Sequence, residues 1–211
     1  MNGDPKTGTT TIGLVCKEGI ILAADRRVSA GYLIAKKDYE KVVPITDNIA
    51  VTIAGSVSDI QMVIKIIKAQ IRLNKFRSGK EPLVREMANL LMTMVYGNIR
   101  RMTMIPSITA FLVGGFDNTG SHLFEISPAG SIIEFDDYVT DGSGSVFALG
   151  VLEANYKKDL SLQEGIKLAL KALNAAMQRD MASGNGVDIY AITKEGAKKV
   201  FEKQIDTNLV I

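Results

Sequence analysis

The feature that most constrains the fold is a hydrophobic period that switches four times along the chain. Up to residue 54 the apolar residues fall in short β-rich stretches. Residues 12–16 and 20–25 are joined by the glycine-containing turn Lys17-Glu18-Gly19, and residues 42–45 and 49–54 flank the turn signal Asp47-Asn48. The expectation is four strands before any helix, the first two forming a hairpin. From Asp59 the spacing changes, and Ile60, Val63, Ile64, Ile67 and Ile71 share one helical face. After the break at Ser78-Gly79, a second helix is expected from Leu83, with Met87, Leu90, Leu91, Met94 and Val95 as its buried stripe.

Strand signals then return over residues 108–116, the turn Asp117-Asn118-Thr119-Gly120, and residues 122–126, 131–133 and 138–140. A second helical pair follows Gly144. Its last member starts at the capping box Ser161-Leu162-Gln163-Glu164 and carries the stripe Ile166, Leu170, Leu173 and Met177. Residues 188–192 and 198–201 close the chain as strands. Strands and helices that come in groups cannot build a Rossmann fold, in which they alternate. The pattern predicts an α+β, four-layer αββα sandwich, two antiparallel sheets between helical layers.

With 211 residues, 46% of them apolar, the chain is long enough for one sizeable core. Its 25 Lys plus Arg nearly balance 23 Asp plus Glu, so no global field favours nucleic acid or an anionic membrane, and function is expected from a local site. The single cysteine, Cys16, excludes an internal disulfide and a Cys-rich metal site, which points to the cytoplasm. Residues 1–8 read as a short polar leader and residues 9–211 as a single domain. His122 reads as a structural or exposed histidine, Cys16 as a small core residue, and Met102-Thr103-Met104-Ile105-Pro106 as core or subunit contact.

The run Gly8-Thr9-Thr10-Thr11-Ile12-Gly13 places a Gly-Thr bond at the head of the first strand. Cleavage there exposes an N-terminal threonine, which carries a nucleophilic Oγ and a basic amine on one residue. Asp25 ends a strand and Lys41 begins one. If pairing brings them beneath Thr9, a lysine ammonium favours the ionised Oγ and lowers the amine's proton affinity, with Asp25 keeping the lysine charged and oriented. Gly55, where a strand meets a helix, suits a positive-φ turn or an oxyanion donor. The loop Asp141-Gly142-Ser143-Gly144-Ser145 lacks the Gly-Lys-Ser/Thr ending of a phosphate loop. Asp180 and Ser183 lie one turn apart near a helix end, able to cap it or to converge on one group.

Taken together, Gly8 to Gly13, Ala24-Asp25-Arg26-Arg27, Lys41, Ala54-Gly55-Ser56, Gly142-Ser143-Gly144-Ser145 and Arg179-Asp180-Met181-Ala182-Ser183-Gly184 resemble a proteasome β-subunit of the archaeal 20S type. The resemblance covers essentially the whole chain. It implies an N-terminal-nucleophile hydrolase fold and a threonine endopeptidase that removes its own propeptide, residues 1–8, at Gly8-Thr9. It further implies that Thr9 is nucleophile and base, that Asp25 and Lys41 tune it, that Gly55 donates to the oxyanion, and that Ser143, Asp180 and Ser183 orient the Thr9 amine. Val28, Ser29, Ile53 and Val57 are implied to form a substrate pocket with chymotrypsin-like preference. No metal or cofactor is implied. The implied partners are other β-subunits in a heptameric ring, α-type subunits, a regulatory ATPase acting through the α-ring, and unfolded polypeptide substrates. The alternatives are a non-catalytic β-subunit of the ring and an amidohydrolase of the same superfamily acting on small amides.

Overall fold

The computed structural model describes residues 8–104 and 106–205. Seven strands come first: β1 (Thr11–Cys16), β2 (Gly19–Asp25), β3 (Val28–Ala30), β4 (Leu33–Lys36), β5 (Val42–Pro44), β6 (Ile49–Thr52) and β7 (Ala54–Gly55). Two helices follow, α1 (Val57–Ser78) and α2 (Val84–Ile99), then β8 (Thr109–Asp117), β9 (Gly120–Ile126), β10 (Ile132–Phe135) and β11 (Tyr138–Asp141). The chain continues through α3 (Ser145–Asn155), α4 (Leu162–Arg179), β12 (Gly186–Thr193) and β13 (Gly196–Gln204). One sheet runs β11-β1-β2-β12-β13 and the other β10-β9-β8-β6-β5, with β7 also on β8; all the pairings are antiparallel.

Side-chain alternation explains the four layers. In β2, Ile21 and Ala23 face α3 and α4 while Ile20, Leu22 and Ala24 face the other sheet. In the second sheet Phe111 and Val113 face α1 and α2 while Leu112 faces inward. Each sheet is therefore buried on both sides, and its central strands read as nearly continuous apolar runs. The three resulting cores are helix on sheet, sheet on sheet, and sheet on helix, which is the expected αββα sandwich.

Two expectations are corrected and a third is narrowed. Seven strands, not four, precede the first helix, because β3 and β4 form a separate hairpin and β7 splits from β6. The buried face of α4 is Gly165, Leu168, Ala169, Ala172, Leu173 and Ala176, with Ile166, Leu170 and Met177 on its flanks. Small residues let this helix lie close to the sheet: a methyl on Gly165 would press on Cys16 Sγ and Ile21. Burial pushes the Cys16 thiol up to about 12, helped by Glu18 and Glu164, which fits an inert core cysteine. Met102 and Met104 are fully exposed, so neither packs in the core.

The start of α2 is capped from outside. Leu83 at its N-cap offers no side-chain acceptor, and Asp117 Oδ2 at the end of β8 instead accepts from Val84 N–H at 2.8 Å. Burial works to raise the Asp117 pKa, but hydrogen bonds from Thr119 and the Val84 N–H, with nearby His122, hold it below the ordinary aspartate value. Asp117→Ala is therefore expected to cost ~1 kcal/mol near neutral pH, a drop in Tm of roughly 2–4 °C. A depressed folded pKa gives stability that is complete above the unfolded value and lost as pH falls through the folded one. Melting curves of parent and variant should accordingly converge in acid; a gap independent of pH would assign the loss to packing.

Candidate active site

Thr9 and Thr10 lead into β1 beside the end of β2. Asp25 N–H donates to Thr10 O at 3.2 Å, and Thr10 N–H returns a bond to Asp25 Oδ1 at 3.0 Å. The Asp25 carboxylate, fully buried, also accepts from Lys41 Nζ at 2.7 Å on Oδ1, and from Arg27 N–H at 3.0 Å and Gly184 N–H at 2.9 Å on Oδ2. Burial pulls the Lys41 ammonium below the ordinary lysine value. The charge and hydrogen bond of Asp25 oppose this, as does Asp180, while Arg27 adds to it. Desolvation thus outweighs the stabilising effect of Asp25, and the Lys41 proton is held less tightly than that of a solvated lysine.

A second carboxylate holds the other side of the segment. Thr9 N–H donates to Ser143 Oγ at 3.2 Å, and Ser143 Oγ donates to Asp180 Oδ2 at 2.6 Å. Ser183 Oγ donates to the same Asp180 oxygen at 2.5 Å, so at 2.7 Å from Thr10 Oγ1 it is the acceptor. Asp180 is the C-cap of α4, Ser143 lies in the loop before α3, and Ser183 lies in the loop leading to β12. Segments far apart in sequence converge here because β1 sits centrally between β11 and β2.

Thr9 and Lys41 open onto one cleft, whose walls include Val28, Ser29, Ile53, Val57 and Gly55 together with Tyr39 and Ile60. Gly55 has φ of 117°, a conformation that glycine tolerates and that brings its backbone against Ile108 of the neighbouring segment. Gly8 packs as tightly: a side chain there would collide with Ala182, and its N–H donates to Ser29 Oγ at 3.2 Å. The six residues named with Thr9 from sequence, Asp25, Lys41, Gly55, Ser143, Asp180 and Ser183, and the four pocket residues therefore lie in this neighbourhood. Residues 1–7 of the leader lie outside the described residues. Sequence reasoning missed Thr10, Arg27 and Asn185; the Gly184-Asn185-Gly186 turn signal was the one available hint of the last.

Among the described residues one carboxylate group, Glu40, Asp188 and Glu202, is compact enough to share a cation. Arg26 Nη1 already lies 3.1 Å from Asp188 and 2.5 Å from Glu202, and Lys199 Nζ bonds Glu40 and Glu202, so protein cations fill it. His122, half-buried, bridges Thr119 and Glu134 at 2.7 Å each, away from the cleft.

The profile of the proteasome subunit family matches residues 5–192. The chain belongs to that family. The subunit is 46% identical over 203 residues to a protein of Methanocaldococcus vulcanius named proteasome subunit beta, covering 96% of this chain and 89% of the relative. It is 41% identical over 202 residues to the proteasome subunit beta of Ferroglobus placidus, covering 96% and 94%. The corresponding protein of Methanococcus maripaludis is 42% identical over 200 residues, covering 94% and 90%. These relatives identify the subunit as β-type, and the family assigns its sandwich to the N-terminal-nucleophile hydrolase fold. As a proteasome subunit it is one member of a multi-subunit particle. No helix among the described residues is long and apolar enough to cross a membrane.

Proposed function

We propose that this subunit is a threonine endopeptidase of a cytoplasmic 20S particle, activated by its own cleavage at Gly8-Thr9. The observation that carries the reading is the double frame around Thr9: Asp25 with Lys41 on one side, Asp180 with Ser143 and Ser183 on the other. With Gly8 attached, the Thr9 nitrogen is an amide and has no basicity. Thr9 Oγ attacks the Gly8 carbonyl, the C–N bond breaks as nitrogen takes the proton, and the resulting ester is hydrolysed by water. The freed amine stays near Ser143 and Asp180, accepts the Oγ proton, and passes it to the leaving amine of a substrate peptide bond. Lys41 lowers the proton affinity of both groups through its charge, and the Gly55 N–H faces the developing oxyanion. A second water releases the acyl group. Residues 1–8 are the propeptide and 9–211 the catalytic domain, which works within a heptameric β-ring beside α-type subunits, fed unfolded polypeptides by an ATPase acting through the α-ring.

Val28, Ile53 and Val57 give the cleft apolar walls, and Ser29, whose hydroxyl accepts from Gly8 N–H, lines it beside them. This favours large apolar side chains before the cut, a chymotrypsin-like preference. Ile53 also belongs to the core beneath α1 and α2. Ile53→Ala is expected to raise the relative rate on the bulkiest aromatic substrates while costing roughly 2–4 kcal/mol of stability. An unchanged profile across a series of peptides would remove Ile53 from the pocket. The proposal as a whole is tested by co-expression with an α-type partner. Intact mass should show loss of residues 1–8, and the particle should hydrolyse apolar peptides. An intact leader and no hydrolysis would favour the non-catalytic alternative.

A further inference from the structure

The loop of residues 180–185 carries two of the groups that frame Thr9, yet it lies between α4 and β12 and belongs to neither. Inside the loop, Ala182 N–H donates to Asp180 Oδ1 at 3.2 Å and Ser183 N–H to Asp180 O at 3.2 Å. Such local bonds shape the turn without fixing its height over the sheet. From outside, Gly184 is held through its backbone by Asp25 and by Arg26 N–H. Ile205 N–H also donates to Asn185 O at 3.1 Å, but one side chain bridges the two ends: Arg27 Nη1 donates to Met181 O at 2.6 Å and Arg27 Nε donates to Asn185 Oδ1 at 2.7 Å.

That side chain suits a clamp. A guanidinium presents donors in a rigid planar fork, so two acceptors four residues apart are fixed relative to each other as well as to arginine. Its plane lies against Gly184, where any side chain would collide with it. Asn185 adopts φ of 62°, a left-handed conformation that asparagine tolerates better than most residues, and is buried with its carbonyl aimed at Arg27 Nε. The backbone N–H of Arg27 meanwhile donates to Asp25 Oδ2. One residue thus ties the Asp25–Lys41 side of the site to the Asp180–Ser183 side.

We propose that Arg27 is a positioning residue for the threonine centre, its guanidinium holding residues 181–185 so that Asp180 and Ser183 keep Ser143 and Thr10 in register with Thr9. The inference rests on the reading of Thr9 as nucleophile. It acts through other groups, and its loss misplaces the hydrogen bonds on Thr9 without removing any reacting atom.

The test is peptide hydrolysis by assembled particles carrying Arg27→Ala, Arg27→Lys or Thr9→Ala. Arg27→Ala is expected to lower kcat about 10- to 100-fold, the cost of a misplacement near 1 Å, with KM within about twofold. Guanidinium ion at sub-denaturing concentration should restore part of kcat. Arg27→Lys keeps the charge but loses the fork and should stay as impaired as Arg27→Ala. If Arg27→Ala does not assemble, Asn185→Ala, which removes the Nε contact from the other side, should show the same kcat loss. An unchanged kcat, a change confined to KM, or full activity in Arg27→Lys would overturn the proposal. Activity surviving in Thr9→Ala would overturn the nucleophile reading instead, so the two failures are separable.

Discussion

Thr9→Ala is expected to leave residues 1–8 attached and to abolish peptide hydrolysis, a loss on the order of 10⁶-fold that the assay background will truncate. No neighbour can take over. Ser143 Oγ commits its proton to Asp180, Ser183 Oγ does the same, and Thr10 Oγ1 donates to Ser183. Each of these hydroxyls is held as a link in a network, which orients it away from attack on the Gly8 carbonyl. The fold should survive, because the Thr9 N–H bond to Ser143 and the Gly144 N–H bond to Thr9 O are backbone interactions that alanine retains. A stability change within about 1 kcal/mol is expected. Intact mass and hydrolysis, measured beside the parent, check both halves of the claim. Cleavage at Gly8-Thr9 in the variant would mean that another group or another protease matures the chain. Retention of the leader in both proteins would shift the reading to a non-catalytic ring subunit.

The β1–β2 hairpin was legible as two β-rich runs about a glycine turn, and the α1–α2 pair because its period of 3.6 is carried by large apolar residues. The same rule failed on α4, where close packing selects glycine and alanine and leaves the larger residues on the flanks. It failed again on β4, whose residues are all exposed, so no alternation exists to be read; the run Tyr32-Leu33-Ile34 after Gly31 was the only cue. In the site, Asp25 and Lys41 were legible because a carboxylate and a lysine at strand ends are chemically conspicuous. The family pattern supplied roles for Ser143, which spacing alone left in an incomplete phosphate-type loop, and for Asp180 and Ser183, which it left as a helix cap or a convergent pair. Arg27 was hidden by its partners. It acts on a backbone carbonyl and on an asparagine 154 and 158 residues away, contacts that no local pattern encodes.

Lys41→Met is expected to separate catalysis from folding in the same site. Lys41 is 2% exposed and its ammonium is paired with a carboxylate that is fully buried. Removing one partner of such a pair costs roughly 3–5 kcal/mol, because the remaining charge is left in a poorly solvated place. Three backbone N–H groups still bond Asp25, from Thr10, Arg27 and Gly184, so the loss should sit at the lower end of that range, a fall in Tm on the order of 10 °C. The rate should fall by roughly 10²–10³-fold, the usual cost of removing one preorganised electrostatic group from a reaction centre. Adding Asp25→Asn to the variant removes the orphaned charge but turns an amide NH2 toward one of these N–H donors; it should recover part of the stability and leave the rate unrecovered. The pH dependence has a definite sign. Because the folded pKa of Lys41 lies below its unfolded value, the unfolded chain binds more protons between the two, and stability of the parent rises with pH there relative to Lys41→Met. Denaturant titrations of both proteins through the alkaline range would read that difference. A Lys41→Met protein as active as the parent would leave the Asp25–Lys41 pair a purely structural ion pair, and would confine the catalytic machinery to the Asp180 side of Thr9.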